Sequence, residues 1–400
     1  MLVFDVRSLA DAKPSGVHGV TRTWARGLAA AVPPGEFVAV ANAAGAGAAR
    51  ARQALGSEVP LVVRRFPNKL LHASMRFLGA PHLEELVGAP RGAVVIASPH
   101  FLRVRPDTTL VLIVHDLSYF REPRFFSPWM RLWHRAVDFP RLIARADRIA
   151  VCSAHTKRDL MELFAVPAAK IGIVRPSVDP TLFVPPAAAA RDAVRAKHGI
   201  PRDYAFVFSD GPRKNLAVAL AGIAASHTNL AVVVAGPEDP AAVAAVARHA
   251  YRQAGVAGMS NRVHALGYCA EGERTALLSG ARMLIYPSFY EGFGLPPLEA
   301  MALGVPVVAA HGSALGETIG DAAVLVDPQD AASVSCAVER VLAEPAATAA
   351  RVVRGRERAA AFRPEKAVKD LLALVKDARH APLRAAEPAA VVHYRHAHRN

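Results

Sequence analysis

Glu291 and Glu299 stand eight residues apart in SFYEGFGLPPLEAMALGVPVVAA, residues 288–310. Between them lie Gly292, Gly294, a Phe293 that reads as exposed, Leu295 and two prolines. Met283–Tyr286, ended by Pro287, reads as a buried strand. Pro296 suits the first turn of a helix, and Gly304 its C-terminal end. The two acids therefore fall on a loop and about one turn into the helix that follows. The helix start offers free N–H groups and a positive dipole end, a seat for phosphate. A carboxylate repels phosphate, so the partner expected for the acids is a hydroxyl-rich group, a sugar or a ribose. Otherwise Glu291 is a solvated loop acid and Glu299 an ordinary helix-surface residue.

A second constellation is FVFSDGPRKNLAVAL. Arg213 and Lys214 sit where a strand turns into a helix, and two cations there would neutralise a departing diphosphate without a metal. They could equally be solvated turn cations. His115 and Asp116 end the apolar run Leu110–Val114, a position at which polar groups contact ligands in open α/β sheets; a core histidine is the competing reading. Gly16 and Gly19, in a loop before a helix from about Val20 to Ala31, would let backbone amides approach a ligand closely. Ser153 reads as a helix cap and Lys157 as a surface charge.

The elements that must hold these residues are short apolar strands alternating with helices. Strands are expected at Leu2–Val6, Phe37–Ala41, Val94–Ala97, Leu110–Val114, Ile149–Cys152 and Ile171–Val174, then at Ala205–Phe208, Ala231–Ala235, Val263–Leu266, Met283–Tyr286, Val305–Ala309 and Ala323–Val326. This is the pattern of an α/β protein with two doubly wound, Rossmann-like parallel-sheet domains. The expected boundaries are residues 1–178 for the first domain, a linker at 179–200, and 201–358 for the second. A C-terminal helix at 359–380, with the option of returning to the first domain, and a loose basic tail at 381–400 complete the chain.

Composition narrows the setting. The 400 residues are 52% hydrophobic and carry a formal charge of +14. Cys152, Cys269 and Cys336 stand singly, which predicts a reducing compartment and neither a disulfide frame nor a zinc site. No apolar run is long enough for a signal core or a bilayer span, so a cytoplasmic protein is expected. The charge fits nucleic acid, an anionic membrane or an anionic small substrate, or it reflects the Arg-, Ala- and Pro-rich usage of a GC-rich genome. No zinc-finger, RRM or basic-zipper pattern is present, which disfavours nucleic acid. SPWMRLWHRAVDFPRLIARADR adds a helix in which Trp129, Trp133 and Val137 share a face beside Arg131, Arg135, Arg141 and Arg145. It would lie on an anionic lipid surface or pack into the first domain.

EGFGLPPLEAMALGVPVVAA resembles the E-x7-E signature of the retaining glycosyltransferases of family 4, which have the GT-B fold. VHALGYCAEGERTALLSGARMLIYPS, GSALGETIGDAAVLVDPQD, LIVHDLSYFREP and IAVCSAHTKRDL are similar to other segments of that family, so the resemblance extends to about Ala378. It implies a GT-B pair of domains facing a cleft and transfer of a hexose from a nucleotide-diphosphate sugar. Exopolysaccharide mannosyltransferases are the nearest type, with GDP-mannose ahead of UDP-sugars. The acceptor would be a glycan or a polyprenyl-linked species, the cytoplasmic membrane face a possible location, and nucleic acid no partner.

The resemblance also assigns roles. Glu299 would hold the ribose, Glu291 the donor sugar, and the N–H groups of Gly292, Phe293, Gly294 and Leu295 sugar or phosphate. Arg213 and Lys214 match the family's PRKN; His115 would sit at the donor sugar and Asp116 would support the local structure or the acceptor side. Front-face attack, with the leaving phosphate taking the acceptor proton, is expected over a Glu291 nucleophile. No cofactor and no metal are expected, since no D-x-D follows a strand. Phe208 replaces a usual glycine, Gly211 a usual acid, and Ser177 a glycine near the domain join. The other readings are a nucleotide-sugar epimerase of GT-B fold and an inert GT-B binding subunit.

Overall fold

A computed structural model describes residues 1–12, 16–256 and 262–380. The chain divides into two compact units, Met1–Ser177 with the segment from Pro364 onward, and Val178–Arg363. The tail 381–400 lies outside the described residues.

The first unit is built on a seven-stranded parallel sheet. Its strands are β1 (Leu2–Asp5), β2 (Phe37–Asn42), β3 (Leu61–Arg64), β4 (Val94–Ala97), β5 (Thr109–Val114), β6 (Arg148–Val151) and β7 (Ile171–Ile173). They are ordered β3-β2-β1-β4-β5-β6-β7. Val94–Ala97 and nearly all of Thr109–Val114 are buried, as expected for strands covered by helices on both faces. β3 was not expected: LVVR is half-buried at the sheet edge and carries only a short apolar run.

The helix Gly16–Ala31 starts four residues earlier than the sequence suggests. Gly16 and Gly19 therefore belong to its first turn and not to a loop. The helix Pro364–Arg379 also belongs to this unit and buries Val368, Leu371, Leu374 and Val375. Gly27 is where it meets Gly16–Ala31: a methyl group there would lie 2.2 Å from Val368 Cγ2. Arg148 and Asp377 (2.6 Å) tie the same helix to β6.

The second unit carries β8 (Tyr204–Phe208), β9 (Ala231–Ala235), β10 (Val263–Gly267), β11 (Met283–Tyr286), β12 (Val307–Ala310) and β13 (Val324–Val326). All six are parallel, in the order β10-β9-β8-β11-β12-β13. The stretch 179–200 is not a free linker. Its helix Ala188–Lys197 belongs to this unit, with Arg191 Nη1 donating to the Ser279 carbonyl (3.3 Å) and Lys197 paired with Glu273. In both sheets the order reverses beside the first strand of the unit, between β1 and β4 and between β8 and β11. At such a switch point the loops leaving the two strands diverge and open a crevice at their C-terminal ends.

Candidate functional site

The switch point of the second unit holds the cations and the first acid. From β8 the chain runs through Ser209–Gly211 into a single 3-10 turn, Pro212–Lys214, before the helix Leu216–Ala225. From β11 it runs through Pro287–Gly294 into the helix Leu295–Ala302. The pairing Ile285↔Val207 fixes the two strand ends side by side, and Phe289 N–H donates to the Arg213 carbonyl (3.0 Å) across the gap.

Four donors converge on Glu291. Its Oε1 accepts from Lys214 Nζ (2.7 Å), Ser288 Oγ (2.5 Å) and Tyr286 Oη (3.0 Å). Its Oε2 accepts from Arg213 Nη1 (3.2 Å), which also donates to the Tyr290 carbonyl (2.8 Å). Tyr286 Oη accepts in turn from Lys214 Nζ, so lysine, phenol and carboxylate form a closed ring of contacts. Glu291, Lys214 and Tyr286 are all buried. Burial opposes charge on Glu291. The Lys214 and Arg213 charges and the hydrogen bonds from Lys214 and Ser288 overcome it and hold the carboxyl down at about 2. Burial draws the Lys214 ammonium below the usual lysine range, against the pull of Glu291. Two cations around one carboxylate leave the cluster with a net positive charge.

The backbone around Glu291 is held from the next loop. Its N–H donates to Ser313 Oγ (2.9 Å), and its carbonyl accepts from Ala314 N–H (3.3 Å). Gly294 opens the following helix at φ +100, where a side chain would be strained and a Cβ would sit 2.6 Å from Leu315 Cδ2. Phe293 is not exposed: it is buried edge-on against Phe362, ring centres 5.3 Å apart. That contact comes from a residue far along the chain. Gly292, Gly294 and Leu295 lie with it at the helix entrance. Glu299 is half-buried one turn into the helix, with Oε2 3.7 Å from Arg274 Nη2. The Arg274 guanidinium in turn lies 5.7 Å from the centre of the Phe208 ring, which stands where a glycine is usual.

Glu238 carries no signal in the sequence. It lies just past β9 and accepts from Gly211 N–H (3.0 Å) and Ser209 Oγ (2.6 Å). An acid from a neighbouring strand thereby fastens the loop in which Gly211 stands in place of the usual acid. The sequence marks Tyr286 only as the end of a strand. The tyrosine before Pro287 was its one visible signal, and nothing local pointed to a phenol between Lys214 and Glu291.

In the first unit His115 closes β5. Its ring lies 3.5 Å from Ser98 Oγ through Nε2 and 3.5 Å from Cys152 Sγ through Nδ1, and stacks on Trp24 at 6.4 Å. Burial pulls the imidazolium down to about 4, with Asp116 opposing, so the ring is neutral at physiological pH. Asp116 Oδ1 accepts from both N–H (2.9 Å) and Oγ (2.6 Å) of Ser118, a turn that aims the residues after β5. Ser153 caps its helix by accepting from Thr156 N–H (3.0 Å), whereas Lys157 donates to the Ile171 carbonyl (3.0 Å) and is not a free surface charge. At this unit's own switch point the forked Arg7–Asp5 pair (2.7 Å), with Arg7 also bound to the Phe101 carbonyl (3.0 Å), was not singled out from sequence.

Two family models cover these two halves. Glycosyltransferase Family 4 matches residues 14–182, and Glycosyl transferases group 1 matches residues 190–358. The chain belongs to the family 4 glycosyltransferases. Relatives of this glycosyltransferase include the O-antigen chain mannosyltransferase B of Escherichia coli, 41% identical over 24% of the chain and 26% of the relative. The MMP alpha-(1->4)-mannosyltransferase of Mycolicibacterium hassiacum is 29% identical over 55% of the chain and 51% of the relative. The match spans from a quarter to about half of the length of these relatives. Among solved structures, sucrose-phosphate synthase from Thermosynechococcus elongatus aligns over 94% of the chain and 98% of its own, with TM-score 0.70 and 19% identity. Anabaena HepE in complex with UDP and glucose aligns over 94% and 99%, with TM-score 0.71 and 16% identity. The fold of this glycosyltransferase is GT-B.

Proposed function

We propose that the protein transfers a hexose, with retention of anomeric configuration, from a nucleotide-diphosphate sugar to a glycan or polyprenyl-linked acceptor in polysaccharide synthesis. The observation that carries this reading is the Arg213–Lys214–Glu291 cluster at the switch point of the second unit. Its Glu291 lies on the loop that leads into the helix Leu295–Ala302. An arriving diphosphate meets Arg213, Lys214 and the amides of Gly292, Phe293, Gly294 and Leu295. As phosphate oxygens take over the two cations, Glu291 is freed to accept from hydroxyls of the donor sugar. Glu299 accepts from the ribose, and Arg274 orients it. Charge that develops on the leaving diphosphate is stabilised by Arg213 and Lys214 without a metal, and the phosphate takes the acceptor proton in a front-face reaction.

His115, neutral and held by Ser98 and Cys152, presents a ring edge suited to a sugar hydroxyl, and the amides of Gly16 and Gly19 serve phosphate or acceptor. GDP-mannose is the preferred donor because two of the relatives are mannosyltransferases; UDP-sugars follow, HepE having been solved with UDP. We place the reaction in the cytoplasm, at the membrane face. Thermal-shift screening against a panel of nucleotide sugars, followed by transfer assays with the stabilising donor, tests the reading. A panel in which no nucleotide sugar raises the melting temperature would overturn it.

A further inference from the structure

The surface of the first unit has a feature that the transferase reading does not use. Leu70, Phe77 and Leu78 are 67%, 81% and 80% exposed, and Trp129, Met130 and Leu132 are 74%, 46% and 54% exposed. Single exposed apolar side chains are ordinary; six on two neighbouring elements are not. The first three lie on the helix Asn68–Ala73 and the π-helical turn Ser74–Leu78 that continues it. The others lie on the helix Pro128–Val137.

Side chains beneath hold the two elements together. His72 stacks on Phe101 (4.8 Å), Phe101 meets Trp133 edge-on (6.0 Å), and Arg76 lies 3.8 Å from Asp138, the residue that ends the second helix. A cavity of about 150 Å³ opens between them. Met75, Leu102 and Leu142 contribute apolar lining and Arg76, Arg103 and Arg141 cationic lining.

Trp129, Trp133 and Val137, expected on one face of the helix Pro128–Val137, are buried to different depths. Trp133 and Val137 point inward, and His134 stacks on Tyr119 at 3.9 Å. Trp129, Arg131, Leu132 and Arg135 are left outside. Lys69 and Arg141 are exposed as well, and among the described residues none of Lys69, Arg131, Arg135 and Arg141 is in an ion pair with an acid. Large apolar side chains interleaved with unpaired cations are the composition of a surface that rests in a lipid interface. A second copy of the chain is a poor occupant, because a two-fold contact would set these cations against themselves. The formal charge of +14 points the same way.

We propose that Asn68–Leu78 and Pro128–Val137, with Arg141 of the helix Phe139–Arg145 that follows, form a docking face for an anionic lipid surface, in which Phe77, Leu78, Trp129 and Leu132 enter the interface and Arg131, Arg135, Arg141 and Lys69 meet headgroup phosphates. The proposal stands apart from the donor site and survives its failure. Cosedimentation of the full chain with phosphatidylcholine vesicles, with and without phosphatidylglycerol, tests it. Binding is expected only to the anionic vesicles and falls as salt is raised. Arg131→Gln with Arg135→Gln lowers the partition coefficient about thirtyfold at low salt, roughly fivefold for each basic residue. Phe77→Ser with Leu78→Ser, on the other element, also weakens binding, while both double variants keep the wild-type melting temperature. Wild type that stays in the supernatant with anionic vesicles overturns the proposal. So does a Phe77→Ser/Leu78→Ser variant that binds vesicles like wild type, or one that turns a wild-type dimer into a monomer with no lipid binding in either.

Discussion

Replacing Glu291 by Gln keeps the shape of the side chain and removes its charge, and the structure says what that costs. The carboxyl is held at about 2, against an ordinary value of 4.5. That displacement corresponds to about 3 kcal/mol of folding free energy. The same order follows from leaving the buried Lys214 ammonium without its counter-charge, since breaking a buried pair from one side costs about 3 to 5 kcal/mol. The sign with pH is fixed. A depressed carboxyl contributes its full stabilisation above about 4.5, and the contribution disappears as pH falls through about 2. Protonated glutamate and glutamine are nearly isosteric, so the gap between wild type and Glu291→Gln should be about 3 kcal/mol at neutral pH and shrink steadily below pH 4.5.

Urea unfolding is the appropriate assay, because guanidinium would screen the pair. The three tryptophans, Trp24, Trp129 and Trp133, all lie in the first unit, so their fluorescence provides an internal control. The far-ultraviolet circular dichroism transition of the second unit should move while the tryptophan transition stays. A Glu291→Gln penalty that is absent at neutral pH, or equal at neutral and acid pH, would refute an ionised Glu291 paired with Lys214 and Arg213.

The remaining expectations concern the reaction. Lys214→Ala and Arg213→Ala should each slow transfer by roughly 10² to 10³, the worth of one charged contact of about 3 to 4 kcal/mol to a developing anion; steady-state rates at saturating donor check this. Glu299→Ala should weaken nucleotide binding in calorimetric titration and leave turnover at saturating donor nearly unchanged, whereas unchanged affinity would remove Glu299 from the ribose. Transfer should persist in EDTA; complete loss restored by Mg²⁺ or Mn²⁺ would mean that the diphosphate is neutralised by a metal and not by Arg213 and Lys214 alone.

The parts of the fold legible in the sequence are those whose cause is local. Leu110–Val114 and Ala231–Ala235 announce buried parallel strands because both faces are apolar, and β3 escapes notice because an edge strand needs only half that pattern. The Glu291 loop is legible for the same reason: glycines, prolines and acids at short spacing carry their own geometry. What long-range packing decides was not legible. Phe293 is buried by Phe362, Gly211 is pinned by Glu238, and Tyr286 closes the Lys214–Glu291 ring from the end of a strand. Trp129 and Trp133, four residues apart, look equivalent on a helical wheel. Only the His100 and Phe101 rings packed against Trp133 decide which of the two is inside.

The helix Pro364–Arg379 has a consequence for how the chain is made. The first unit is translated as far as Ser177 before all of Val178–Arg363 is synthesised, and the helix that covers Gly27 emerges only afterwards. At ribosomal rates that interval is roughly 10 to 40 s. Throughout it the groove awaiting Val368, Leu371 and Leu374 is bare on an otherwise finished sheet, while the second unit has every strand it needs as it leaves the ribosome. The unit begun first is thus completed last, and a premature stop after Arg363 would strike the part of the protein synthesised earliest.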